Sequence, residues 1–200
     1  MNRTCIGCLV ALVLALSVRA GTPREVIVDV QTVPLAWGDC RLTEKIQAEF
    51  TRNPEMRVRF AESNGHGAPL APPNRTDLDS LLDWGTEIGG RYLLVVTVTD
   101  EGLERRKSFS LPLIFHKWET VAVIRGEYRF LDLQKGRLVA AEPFEEKLVG
   151  TRQFQMSTDD NRSDPSLHMT ASEKGRLFSQ LEDQLVAKLS GRLEIWSRGR

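Results

Sequence analysis

Tyr92-Leu93-Leu94-Val95-Val96-Thr97-Val98 carries no charge and is rich in β-branched residues, so it reads as a strand covered on both faces. Such a strand belongs in the middle of a sheet with helices above and below. Upstream, Leu78, Leu81, Leu82 and Ile88 recur at helical spacing after Thr76 or Asp77, either of which can cap the first turn, and Gly89-Gly90 ends the run. Residues 63–75 hold three Pro and two Gly and read as a loop. Before them Met56, Val58 and Phe60 alternate with Arg57 and Arg59, which gives a short strand with the arginines on its polar face. Leu42, Ile46 and Phe50, with Asp39 as a cap, make a first helix. Residues 25–33, ending before Pro34, make the first strand.

Downstream, residues 107–115 read as a strand with Phe109, Leu111, Leu113 and Phe115 on one face. Pro112 within it suggests a sheet edge, because proline cannot donate to a ladder. In residues 121–130, Ala122, Ile124, Tyr128 and Phe130 point inward while Arg125, Glu127 and Arg129 point out. Gln134-Lys135-Gly136 turns the chain into a further strand over 137–150. The stretch 155–170 is polar and turn-rich. Ser172 then caps a last helix with Leu177, Leu181, Leu185, Leu189 and Leu193 at steady i+4 spacing. The order β-α-β-α-β-β-β-β-α predicts one α/β domain over residues 21–200, a mixed sheet with helices packed on its faces.

The 200 residues contain 27 Lys+Arg and 27 Asp+Glu, a balance with no electrostatic footprint for nucleic acid. Residues 1–20 carry Arg3, then a charge-free apolar stretch from Cys5 to Val18, then Val18-x-Ala20 in signal-peptidase spacing. Export with cleavage after Ala20 is expected, to a periplasm or beyond, with no membrane span in the mature chain, since the apolar stretch is short of the roughly 20 residues a spanning helix needs. A lipid-accepting Cys follows the apolar region, whereas Cys8 precedes most of it, so no lipid anchor is expected. The exported chain keeps Cys40 alone and can form no internal disulfide.

No chemistry assembles from spacing. His66, His116 and His168 are scattered, and none lies in a metal-ligand pair. Asp159-Asp160-Asn161-Arg162-Ser163-Asp164 resembles the start of a calcium loop but has Asp164 where the turn needs Gly and Thr170 where a bidentate Glu is needed. Gly65-His66-Gly67 lacks the strand-to-helix setting of a phosphate cradle, and no Gly-x-Ser-x-Gly elbow occurs. Adjacent Glu145 and Glu146 point to opposite faces of a strand and cannot share one acid–base task. No metal, cofactor or catalytic residue is therefore expected. The rival reading is a small hydrolase using Cys40, either buried or reactive, or a histidine such as His116.

Three stretches carry a likeness: Asn53-Pro54-Glu55-Met56-Arg57-Val58-Arg59-Phe60, the helix ending at Gly89-Gly90 followed by Arg91 through Thr99, and Phe130-Leu131-Asp132-Leu133-Gln134-Lys135-Gly136-Arg137-Leu138-Val139. Together they resemble the periplasmic domain of the curli-secretion channel family and the amino-terminal domain of TolB, over roughly residues 26–193. The lipid-accepting Cys of the former and the propeller of the latter have no counterpart in these 200 residues. The resemblance implies a non-catalytic envelope protein that works through protein–protein contact, with envelope proteins or further copies of itself as partners. The residues that fit such a contact are Phe109, Leu111, Ile114 and Trp118, on and just after an apolar strand that runs between Arg105-Arg106-Lys107 and Lys117-Trp118-Glu119 at an expected sheet edge.

Overall fold

A computed structural model describes residues 24–32, 41–53, 56–61, 77–111, 115–156 and 169–198. The order is β1 (Arg24–Thr32), α1 (Leu42–Thr51), β2 (Met56–Phe60), α2 (Leu78–Ile88), β3 (Tyr92–Leu111), β4 (Phe115–Asp132), β5 (Arg137–Met156) and α3 (Ala171–Ser197). The strands form one five-stranded mixed sheet, β2-β1-β3-β4-β5, in which β1 pairs in parallel with β2 and β3 while β3, β4 and β5 run antiparallel. The expected mixed α/β fold in one domain is what the chain adopts.

Chain direction dictates where the helices go. The β1-α1-β2 connection steps one way across the sheet and β2-α2-β3 steps back past β1. Right-handed crossovers in opposite directions leave their helices on opposite faces. Accordingly α1, through Leu42, Ile46 and Phe50, joins α3 in the larger core over Val26, Val28, Leu94, Val96, Ile124 and Phe130. On the other face α2 brings Leu81 and Trp84 onto Ile27, Leu93, Val95 and Leu131. Tyr92, Phe130 and Trp196 stack at centroid distances of 5.2 and 5.6 Å, tying the end of α3 to β3 and β4.

The caps follow the sequence unevenly. Asp77 accepts from Ser80 N at 3.3 Å, and Gly89 takes the left-handed conformation (φ 79°) at the end of α2, as their residue types demand. Arg59 donates to the carbonyls of Ile88 and Gly89 and pairs with Glu25 at 2.8 Å, so this arginine closes a helix C-terminus. For α3 the expected cap Ser172 is corrected to Thr170, which forms a reciprocal capping box with Glu173. For α1 the cap position is Arg41, with no side-chain bond; Asp39 lies outside the described residues.

The sheet has five strands where the sequence reading gave six. The expected strands 92–98 and 107–115 are one continuous strand to Leu111, and Phe115 already belongs to the returning β4. Leu111, the last residue of β3, pairs with Phe115, the first of β4, and Pro112, on which the expected sheet edge rested, lies outside the described residues. The charged residues in between do not break a strand, because ladder bonds come from the backbone and the side chains find partners across it.

Candidate functional site

β3, β4 and β5 are 20, 18 and 20 residues long, against 9 and 5 for β1 and β2. Pairing with β1 ends at Thr32↔Val98, so from Asp100 outward β3 is bonded to β4 on one side, and among the described residues no strand pairs with its other edge. A bulge between Val98 and Asp100 marks the transition, and a second lies between Lys107 and Phe109. The result is a three-stranded ribbon extending from the sheet body.

The register sorts the ribbon's side chains into two faces. On one, Arg125 sits among three carboxylates, with Asp100 and Glu145 at 2.7 Å and Glu104 also in contact. Glu104 first, then Glu145 and Asp100, hold its guanidinium above the ordinary arginine range. Further out on the same face Glu119, 5% exposed, is clamped between Arg106 at 3.3 Å and Arg152 at 3.1 Å, one cation from each neighbouring strand. On the opposite face the Arg105 guanidinium stacks 4.0 Å from the Trp118 ring centroid, and the Lys107 ammonium lies 5.9 Å from it.

Nearer the body, Glu101 turns toward α3. Its Oε2 is buried without a hydrogen-bond partner, and burial, then the negative Glu182, push its carboxyl up to about 7. Glu182 in turn meets Lys45 of α1 at 3.0 Å, and Lys45 also meets Asp183 at 2.8 Å and the Ser179 carbonyl at 2.6 Å. Burial alone would lower the Lys45 ammonium, but Asp183 and Glu182 outweigh it and raise it.

Of the expected contact residues, Phe109 is paired with Lys117 and Leu111 is the last residue of β3, while Trp118 is on β4 opposite Lys107. Phe109 and Leu111 thus belong to one strand of the ribbon and Trp118 to the next. Ile114 lies outside the described residues, as do Cys40, His66, His168 and the acidic stretch 159–164; His116 is in β4, opposite Ser110 and Gln155. Among the described residues no three His, Cys, Asp or Glu side chains converge to hold a metal ion, and no helix is long and apolar enough to cross a membrane. Glu145 and Glu146 do diverge: the first reaches Arg125, the second is buried and meets Lys188 of α3.

Sequence reasoning missed a groove of about 550 Å³ between α3 and the strands β4 and β5, floored by Tyr128, Phe144, Leu185 and Leu189, with Ile195 56% exposed at its side. Its rim cations are already paired, Lys188 with Glu146 and Arg192 with Glu142 at 3.0 Å. Only the leucine periodicity of α3 hinted at it; the strand wall needs the register of β4 and β5.

No family model and no curated protein matches the sequence. Solved structures do match. Protein XCC0632 from Xanthomonas campestris, described as DUF330, is 12% identical, covers 90% of this chain and 87% of its own, and has a TM-score of 0.53. Lipoprotein GNA1162 from Neisseria meningitidis is 15% identical, with 82% of this chain and 99% of that chain covered at a TM-score of 0.39. TolB from Acinetobacter baumannii is 13% identical, with 62% of this chain matched to 23% of that chain at a TM-score of 0.36. At these identities it is the fold that is shared, and the Xanthomonas protein is the one of the three similar enough to carry that statement.

Proposed function

We propose that the chain is an exported, non-catalytic envelope protein that acts through protein–protein contact, and that the outer ribbon of β3 and β4 is its contact surface. The observation that carries this reading is the outer half of β3, which among the described residues is paired on one edge only and leads to a tryptophan with Arg105 stacked on its ring and Lys107 near it. An edge offers backbone N–H and C=O groups to an incoming strand, and Trp and Arg are the residue types that most often anchor interfaces. The secretory-signal pattern of residues 1–20 and the resemblance to envelope domains of the curli-channel and TolB type support the location.

A photo-crosslinking residue placed at Trp118, and at exposed Arg52 as a reference, tests the surface in the native envelope. Discrete adducts from position 118 are expected, with none from 52. Adducts from 52 alone would move the surface elsewhere. Loss of the cellular phenotype in a stably folded Cys40→Ser protein would favour catalysis instead.

A further inference from the structure

We infer that the partner of this edge is a second copy of the chain, with β3 pairing antiparallel to β3 over residues 100–107 about a two-fold axis at Leu103. The inference rests on the proposed contact role of the ribbon and names its occupant. Three observations carry it, the first being that no described strand pairs with the outer edge of β3 beyond Val98. β3 between its two bulges is a regular eight-residue run bonded to β4 on one side. Around Gly102 in the middle of the run, an added Cβ would meet nothing within 4 Å.

The second is the charge pattern Asp100-Glu101-Gly102-Leu103-Glu104-Arg105-Arg106-Lys107, acidic first and basic last. Two identical antiparallel strands in one sheet are related by an axis normal to the sheet, which keeps every side chain on its own face. Residues that oppose one another must share a face, so the axis passes through a residue and not between two. Centred on Gly102, Asp100 would oppose Glu104; centred on Glu104, that residue would oppose its own copy. Centred on Leu103, Asp100 opposes Arg106 and Glu101 opposes Arg105. The two-fold repeats both pairs, and no like charges meet. The pattern therefore selects one register among its neighbours.

The third is Glu101 itself. Its Oε2 lies buried without a hydrogen-bond partner, in a setting of burial and of Glu182 that raises its carboxyl. Arg105 of the second copy supplies a cation at that position. A guanidinium has five donors, so Arg105 can keep its stack on Trp118 while it does so.

Sedimentation equilibrium of the exported chain, purified from its envelope fraction, is expected to show a monomer–dimer equilibrium that weakens with added salt. Arg105→Glu with Arg106→Glu should weaken self-association at least about tenfold, as should Asp100→Lys with Glu101→Arg; mixing the two should restore a heterodimer, since every opposed pair again carries opposite signs. A third measurement does not depend on the folding of these charge variants. In a Cys40→Ser background, Leu103→Cys should form a disulfide-linked dimer, because the two copies of that position face one another. Lys107→Cys should not, since its copies would lie about 26 Å apart. A chain that stays monomeric at high concentration overturns the dimer, and so does a dimer indifferent to both the charge swap and the cysteine position. Adducts from Trp118 in an otherwise monomeric chain would overturn the dimer alone and leave the contact reading in place.

Discussion

The two halves of β3 are one strand under two different demands. Over 92–98 it is paired on both edges and six of its seven residues are buried, so every side chain must be apolar or tightly packed. Over 100–107 it keeps one paired edge, and six of eight side chains are charged. The backbone geometry is continuous across the change. What differs is where free energy comes from: apolar burial on two faces in the first half, and cross-strand ion pairs with cation–aromatic contact in the second. The first half should therefore dominate stability and the second should dominate association.

The strongest test of that division removes a ring from the body. Phe130 is fully buried, 5.2 Å from Tyr92 and 5.6 Å from Trp196 by ring centroids. Phe130→Ala is expected to cost about 3–5 kcal/mol in urea-melt stability, the usual range for truncating a buried aromatic. A loss below about 1 kcal/mol would mean that the body is not the stabilising half.

Next in size is the seam between the halves. Gly126 pairs with Val98, and a Cβ there would lie 2.1 Å from the Thr97 carbonyl oxygen and 2.5 Å from Cζ of Phe144. The ring can swing, but the carbonyl belongs to the ladder. Gly126→Ala should cost about 1–3 kcal/mol as overpacking. Gly102→Ala, where the space is open, should fold as the parent does. If the two melt alike, the seam is softer than the close approach implies.

Acidity separates the halves by a smaller margin. The carboxyl of Glu101 lies near 7 in the folded chain and at its ordinary 4.5 in the unfolded one, pushed up by burial and by Glu182, which is itself held by Lys45. Between those values the folded state keeps a proton that the unfolded state has released. This group's contribution to stability thus falls as pH rises from about 4.5 to 7 and is constant above. Glu101 is only half-buried, so solvent screening reduces the effect to the order of 1 kcal/mol. Urea melts at pH 5 and pH 8, at dilutions that keep the chain monomeric, should show that difference in the parent and not in Glu101→Gln. A slope that survives the substitution would assign the titration to another group.

The sequence discloses the two halves unequally. Seven uncharged residues ahead of a charged run mark a central strand, and leucines at i+4 mark α3, because burial writes itself into composition. The continuation of β3 is hidden. Its side chains look like a connection, and the bonds that make it a strand are backbone bonds to β4. The Arg105–Trp118 stack is hidden for a related reason: which residues face one another across a hairpin depends on where the bulges fall, and no residue type announces those. The cap of α3 was legible as Thr170-x-x-Glu173, a pattern that outranks the nearer Ser172 because both of its bonds close on the helix's first turn.

A small effect on folding is expected at Trp118, the aromatic anchor of the contact surface. Trp118 is half-buried and lies on the ribbon, where Arg105 sits 4.0 Å from its ring and Lys107 5.9 Å. Cation–aromatic pairs at exposed sites contribute about 0.5–1 kcal/mol, so Trp118→Ser should cost about 1 kcal/mol and leave the urea transition cooperative. Its effect on association should be larger, because the indole positions the Arg105 side chain that faces the second copy, and a released arginine must be ordered again on binding. Urea melts and sedimentation on the same preparation separate the two effects. A stability loss as large as that of Phe130→Ala would make Trp118 part of the core, and the contact surface would then have to lie where the ribbon does not carry the fold.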